Sequence, residues 1–504
     1  MNYDDELPQE DEHIEYKEGS KNFPKEAWKT ISAFENTDGG LLILGIKEYD
    51  KVLHKFKITG VQNSQQVLDD FWSQSTNPQR ISYSSISNND LNIIDIDENT
   101  KIIEIKVQQV SDQKKPIYLN NDINQVYIRN GSTDTKANKN SMKTLIRLSE
   151  DKLDTQVLKN YDLDDLDLKS VEEYKFELTS RDSYRTYKNL DTRLFLKRIG
   201  VISKDYENAG EEGITVGGLL FFGKNNAILH TFPNFQLDYF DKSHPDQERW
   251  TTRISSIESD LNVYTFFKRV DEHIYSSYPN AFKLDKTGKR IDSFGSMVTA
   301  LREGLINMLM HADYFEESPI ILNNFTNYYE FNNPGKMKIP SEDFFTTNNS
   351  KNRNAIISKL FLQAGYGERA GHGGEKIYES SVANNYIAPE IKTNIEKTRL
   401  IIWKVDYANS FSGQEVTPRE RQVIKAIISS NNWEVTHKEI ENITGFSRYK
   451  VDTAISSLLD KKIIVKSGIG RSTKYSIQIT NEQLIAQAQL MPEILRKALH
   501  QNKN

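Results

Sequence analysis

The sequence predicts a multidomain protein of mixed α/β (α+β) class, and three observations carry that prediction. The 504 residues are enough for about three or four domains of ordinary size. Short apolar runs bounded by turn signals alternate with helical periodicity through most of the chain, which is the pattern of mixed layers. From Thr417 onward the pattern changes to three short helices and a hairpin.

Taken in order, Pro24 to Phe34 reads as a helix, with Pro24 where a first turn tolerates it. Asn36-Thr37-Asp38-Gly39-Gly40 is a turn signal, and Leu41 to Ile46 a buried strand. Leu91 to Ile96, Lys101 to Val107 and Gln125 to Arg129 are further strands. Residues 150 to 200 are charged and read as a helical connector or a small helical subdomain. Gly213 to Gly223 (GITVGGLLFFG) reads as a turn plus strand, and Asn234 to Phe240 as a strand. Ser293 to His311 is a long helix, and Ile320 to Phe325 and Tyr328 to Phe331 are strands closed by Asn333-Pro334-Gly335. Residues 407 to 416 are polar without periodicity, so a linker is expected there. Helices over Pro418 to Ser429, Thr436 to Thr444 and Ser447 to Lys461 precede Lys462 to Val465, a Ser467 to Gly470 turn and Thr473 to Ile477, the order of a winged helix-turn-helix. The expected domains are therefore 1–145, a connector over 146–210, 211–406, a linker over 407–416, 417–480, and a helical tail over 481–504.

Composition excludes several classes. There is no cysteine, which removes disulfides, thiolate zinc sites and cysteine nucleophiles together. The N-terminus MNYDDELPQEDE is acidic and has no apolar core of a signal peptide, and no apolar run approaches the ~18 residues of a membrane span. A cytoplasmic location without membrane partners is expected. Net charge is −6, so contact with nucleic acid must come from local basic patches.

Glu10-Asp11-Glu12-His13-Ile14-Glu15-Tyr16-Lys17 precedes Ala33-Phe34-Glu35-Asn36-Thr37-Asp38-Gly39-Gly40-Leu41-Leu42-Ile43-Leu44-Gly45-Ile46, and Tyr127-Ile128-Arg129-Asn130-Gly131-Ser132 follows. These three motifs, in this order over roughly residues 5 to 140, resemble the Schlafen/AlbA-type domain. The resemblance implies nucleic-acid binding, in which Lys17, Arg129 and Ser132 would face phosphates and the glycine pair would allow close backbone approach. Some members are RNases with three carboxylates. Glu10 and Glu15 match the two glutamates five apart, whereas the third acid is replaced by Lys47-Glu48, leaving Glu48 as the nearest candidate and Asp50 as the next. Such a trio would hold Mg²⁺ or Mn²⁺ against a phosphodiester.

In the central region Glu303, Asn307 and His311 are spaced four apart, so a helix places them on one stripe. Polar side chains on an apolar helix need partners, and phosphate with Mg²⁺ is one such set. With Tyr314, Asn333-Pro334-Gly335 and Gly371-His372-Gly373-Gly374, this stretch resembles the GHKL-type ATPase subdomain, an α/β sandwich, over about 290 to 405. The resemblance implies that Asn307 holds Mg²⁺ of bound ATP, that Glu303 polarises a water, that His311 and Gly335 border the nucleotide, and that Gly371, Gly373 and Gly374 form a phosphate-facing lid. The family's adenine box carries an Asp that is absent from Asn333-Pro334-Gly335, which puts ATP binding, and hydrolysis more so, in question.

Between Glu415 and Thr480 there are 11 Lys and Arg against 7 Asp and Glu. Ser447 is expected to cap the recognition helix, with Arg448, Tyr449 and Lys450 at its base-reading end and Arg471 and Lys474 beside the wing. Three functions stay open: a DNA-binding regulator with a nucleotide-sensing domain, a metal-dependent RNase acting in defence with tRNA-type substrates, and an oligomeric scaffold. The partner is nucleic acid, DNA before RNA, and a homo-oligomer is expected.

Overall fold

A computed structural model describes the chain except residues 1–6, 20, 51–53, 151–152, 207–209, 244–248, 278–282, 285–289, 292, 347–350, 368–371, 385, 406–407, 409–415, 429–433, 469, 471–472 and 479–504; side chains are also left out for 283–295 and 342. The expected tail over 481–504 and most of the 407–416 linker lie outside the described residues. The chain is mixed α/β and divides into two compact bodies, residues 1–153 with 394–397, and residues 154–393 with 398–504. No described helix is long and apolar enough to cross a membrane.

In the first body, Ile14–Lys17, Gly40–Leu44, Lys101–Val107 and Leu91–Asp95 form a four-stranded sheet in that order, the first pair parallel and the others antiparallel. Strand alternation sends Leu42 and Leu44 to the face covered by the helices Ala27–Asn36 and Ser64–Ser75, where Trp28, Ile31, Phe34 and Phe71 close the core. Leu41 and Ile43 face the other way, with Tyr16, Ile46 and Ile102. Gly45 has a φ of +100°, so the expected single strand breaks there, and Ile46–Asp50 leaves as a separate hairpin with Lys55–Ile58.

The glycine pair has a packing reason. A Cβ on Gly40 would stand 2.5 Å from the Phe34 ring and 2.8 Å from the His13 carbonyl, and one on Gly39 2.7 Å from the Val107 carbonyl. Asn36 is buried, and its amide donates to the carbonyls of Ile117 and Tyr127 at 2.9 and 3.0 Å while accepting from Ile117 N at 2.8 Å. That one side chain ties the first helix to the distant loop at Ile117 and to the strand that begins at Tyr127.

The second body is built on a six-stranded sheet in the order Thr252–Ser255, Leu237–Lys242, Ile320–Phe325, Tyr328–Pro334, Lys397–Trp403, Glu390–Thr393. The helices Val263–Ser277 and Ser293–His311 contribute Tyr264, Phe267, Leu301, Leu305 and Leu309 to the core, together with Leu322, Phe331 and Ile402 of the sheet. The strand from Tyr328 runs three residues past the expected Phe331, through Asn333 and Pro334, so that the turn falls at Gly335 with φ +93°.

Two expectations change here. The run Val216–Phe222 is a helix, capped by Thr215 Oγ1 accepting from Gly218 N at 3.1 Å, and every residue of it is buried. A short run buried on all sides carries no periodicity, so strand and helix look alike in sequence. The charged stretch expected as a connector packs inward: Leu166, Val171, Tyr174, Leu178, Phe195 and Ile199 join the core just described. Asp154 enters the same body as a remote cap. Its carboxylate accepts from the N–H groups of Ala355, Ile356 and Ile357, at 2.8, 2.7 and 3.2 Å, at the start of the helix Ala355–Ala364.

Residues 418–477 place the helices Pro418–Ile428, His437–Thr444 and Arg448–Asp460 over a small sheet in the order Glu434–Thr436, Lys474–Ile477, Ile464–Ser467, around Val423, Ile427, Ile440, Val451, Ile455 and Leu458. Thr436 and Glu439 form a reciprocal capping box, and Gly445, at φ +68°, ends that helix. Ser447 stands at the N-cap position of the last helix, but its hydroxyl makes no cap bond.

Candidate functional sites in two separate bodies

In the first body Glu10 and Glu15 come close together. Glu10 Oε1 accepts from Tyr16 N at 2.9 Å, and burial, with the Glu15 carboxylate beside it, raises the Glu10 pKa above the ordinary carboxylate value. Glu15 is buried, pairs with Lys17, and meets Arg129 Nη1 at 2.8 Å. Arg129 reaches Asp134 at 2.8 Å and donates to the carbonyls of Asp11 and Ile14 at 2.7 and 3.0 Å. Asp134 accepts in turn from Thr30 Oγ1 at 2.6 Å. The guanidinium therefore stitches the first strand to the late hairpin and is 2% exposed, which turns it away from solvent phosphates.

Glu48 does not join this pair. Its carboxylate meets His54 Nδ1 at 3.1 Å in the separate hairpin, where Asp50 also sits. Among the described residues no group of three or more His, Asp or Glu side chains is placed to hold a metal ion. Ser132 is exposed at the tip of the late hairpin. Of the expected phosphate-facing set, only Ser132 is fully open to solvent.

The second body contains a cavity of about 90 Å³. Glu303, Asn307 and His311 line it from one helix, as the spacing of four predicts, and Asn307 Nδ2 donates to Glu303 Oε1 at 3.2 Å. Opposite them the helix Gly373–Ala383 begins. A Cβ on Gly373 would lie 2.1 Å from Glu303 Oε1 and 2.9 Å from Asn307 Nδ2, and one on Gly374 would lie 1.8 Å from the Phe344 carbonyl. Glycine is required there for the helix start to approach the acid–amide pair. The first-turn N–H groups of such a helix favour an anion. Gly371 lies outside the described residues.

Four cations that the motif reading passed over also line the cavity: Lys336, Lys338, Lys351 and Arg353. Arg353 is buried, donates to the carbonyls of His311 and Lys336 at 3.0 and 2.5 Å, and so holds the end of the long helix against the Gly335 turn. Burial first, and then the charges of Arg353 and Lys338, lower the His311 pKa to about 4, which keeps the imidazole neutral near pH 7. Asn333 also stands in the wall, and Thr398 Oγ1 donates to the Gly335 carbonyl at 2.9 Å. Lys336 and Lys338 directly follow Asn333-Pro334-Gly335, so two cations just past that turn were the available sequence signal.

An acid and an amide on one side, a helix start on the other and cations around the rim suit a nucleotide with its divalent ion. Asn307 would take a metal position, and phosphate oxygens would supply further ligands. The cradle at Gly373, which any Cβ would fill, fits a phosphate group against backbone.

In the C-terminal unit Arg448 and Tyr449 are open to solvent at the start of the last helix, 84% (side chain) and 77% exposed, with Lys450 exposed beside them. Lys474 pairs with Glu434 at 3.2 Å, and Arg471 lies outside the described residues.

Three family models match the chain. "Schlafen, AlbA_2" covers residues 10–138, "Putative ATP-dependent DNA helicase recG C-terminal" covers 317–402, and "Domain of unknown function (DUF8451)" covers 143–238. No curated protein is significantly similar to the chain. Among solved structures, a protein from Corynebacterium diphtheriae is 15% identical over 93% of this chain and 95% of its own, with a TM-score of 0.37. The N-terminal domain of a RecG-related protein from Nitrosomonas europaea, titled a putative ATP-dependent DNA helicase, is 24% identical over 25% of this chain and 82% of its own, with a TM-score of 0.19. Both likenesses are too loose to assign anything further. The chain thus carries a Schlafen/AlbA-type N-terminal domain followed by an ATPase-related domain of the RecG C-terminal type.

Proposed function

We propose that this is a nucleic-acid-binding regulator in which a nucleotide held in the central cavity controls a DNA-reading C-terminal unit. Two of the three matched families, the Schlafen/AlbA type and the RecG C-terminal type, support a nucleic-acid-related class. The observation that carries the nucleotide reading is the meeting of Glu303 and Asn307 with the Gly373 helix start inside a cavity rimmed by four cations. The proposed ligand is Mg²⁺-ATP. Asn333 in place of the family's Asp makes the purine contact an amide contact, and the scaffold reading is retained as the outcome in which no nucleotide binds.

The C-terminal unit supports a winged helix that reads duplex DNA, because its three helices and hairpin leave Arg448, Tyr449 and Lys450 outermost at one helix start. The RNase reading has weaker support, since Glu15 is engaged by Arg129 and Lys17 and Glu48 stands apart.

Titration calorimetry with ATP tests the central claim. Wild type is expected to bind ATP only with Mg²⁺, and Asn307→Ala to lose that heat while melting as wild type does. No heat at millimolar ATP would leave the cavity a scaffold without nucleotide.

A further inference from the structure

The six-stranded sheet of the second body has one face against helices and an opposite face on which Phe240, Phe325, Tyr328 and Trp403 keep some exposed surface. Alternation sends Leu237, Tyr239, Leu322, Phe331 and Ile402 inward to the core. The opposite face is not purely polar, as a solvated sheet face normally is: rings stand there among Asp238, Lys242, Asn323, Glu330 and Arg399. It carries a line of aromatic rings that crosses four strands.

The line starts at Trp250, whose ring centroid is 5.2 Å from that of Phe240. Lys242 bridges the next step, its Nζ 5.0 Å from the Phe240 ring and 5.4 Å from the Phe325 ring. Phe325 then meets Tyr328 at 4.8 Å, and Tyr328 meets Trp403 at 5.0 Å. The strand register enforces this order, because Lys242 pairs with Phe325 and Asn323 with Glu330 on the same face. All five rings retain exposed surface.

Contiguous apolar surface of this kind marks a contact site. The cations among the rings select the partner. Arg253 is matched by Asp238 and Glu258, and Arg399 by Glu330. Among the described residues, Lys242 in the middle and Arg249 at the Trp250 end have no acidic partner. Rings spaced for stacking, with unmatched positive charge along them, are the elements of a single-strand platform, since every base has a π face and every linkage a negative charge.

We propose that this face binds single-stranded DNA, with bases stacked on Tyr328, Phe325 and the two tryptophans, and the backbone passing Lys242. The polar groups between the rings satisfy one another: Asn323 accepts from Lys242 at 2.9 Å and donates to Glu330 at 3.1 Å. They leave little to read a 2′-hydroxyl, which favours DNA over RNA. The proposal stands on the sheet face alone and does not depend on the nucleotide cavity.

The test uses the full chain, a labelled oligodeoxythymidylate of about 15 nucleotides, within the span of one stacking domain, and a duplex of mixed sequence. Tyr328→Ala and Trp403→Ala should each weaken oligodeoxythymidylate binding roughly tenfold. Tyr328→Phe should restore it, and Lys242→Gln should reduce the log–log salt slope by about 0.7. Duplex binding should stay unchanged in all four variants, which separates this surface from the C-terminal unit. The proposal is overturned by wild type ignoring the oligomer, or by folded Tyr328→Ala and Trp403→Ala binding it like wild type. Tighter binding of the matching oligouridylate overturns it too, as does a change in sedimenting mass in the variants, which would make a second copy the occupant.

Discussion

The buried cluster around Arg129 and the cavity beside Asn307 are both built from motif residues, yet they treat their polar groups in opposite ways. Around Arg129 the hydrogen-bonding capacity is turned inward, onto Glu15, Asp134 and two main-chain carbonyls. Around Asn307 the acid, the amide and the helix start face a common empty space. A motif therefore marks either a joint or a site, and which it is depends on whether its polar groups are sealed into the core or line a cavity.

The largest expected effect would break this contrast. Arg129→Ala should destabilise the first body by about 3–5 kcal/mol, because it leaves the buried Glu15 with Lys17 alone as counter-charge and the part-buried Asp134 with only the Thr30 hydroxyl. Urea unfolding followed at the amide signals of that body measures it. A variant that unfolds like wild type but loses nucleic acid would make Arg129 a contact residue and undo the distinction.

The cavity should respond in the reverse sense. Gly373→Ala places a methyl group against Glu303 and Asn307, so nucleotide affinity should fall at least tenfold, about 1.4 kcal/mol. The melting temperature should change far less than with Arg129→Ala. Equal losses of stability in both variants would show that Gly373 is a joint as well.

A smaller effect sharpens the comparison through pH. Burial pushes the Glu35 carboxyl up from 4.5 to about 7, despite bonds from Ser84 and Ser85. The folded-state pKa lies above the unfolded one, so the favourable contribution is complete below pH 4.5 and is lost as pH rises through about 7. Glu35→Gln should flatten the fall in melting temperature across that window. An unaltered profile would place the titration elsewhere.

The smallest change in stability is expected at the C-terminal unit. Arg448→Ala with Lys450→Ala should leave stability within about 0.5 kcal/mol of wild type while weakening duplex binding and reducing the log–log salt slope by about one per lost phosphate contact. Unchanged binding would remove this helix from DNA recognition.

Much of the architecture was legible because periodicity reports burial directly. The strand Lys101–Val107 and the helix Ser293–His311 fall where the pattern puts them, and the stripe Glu303, Asn307, His311 faces one cavity because a helix turn fixes that spacing. The helix Val216–Phe222 was hidden because uniform burial erases periodicity. The role of Arg129 was hidden because its partners are 5, 114, 115 and 118 residues away in sequence and three of its bonds go to main chain, which carries no residue code. Arg353 was missed for the same reason: it donates to the main-chain carbonyls of His311 and Lys336.

The remote cap at Asp154 has a practical meaning for where the second body begins. The helix Ala355–Ala364 has no side-chain cap of its own, because Asn354 donates instead to the carbonyls of Met310 and Ala312. Its first three N–H groups are closed by a carboxylate about two hundred residues upstream. A fragment started at residue 160 would keep the whole six-stranded sheet and lose the anchor of a helix that immediately follows Arg353 in the cavity wall. The border of this body is thus set by a single acidic side chain rather than by its first strand.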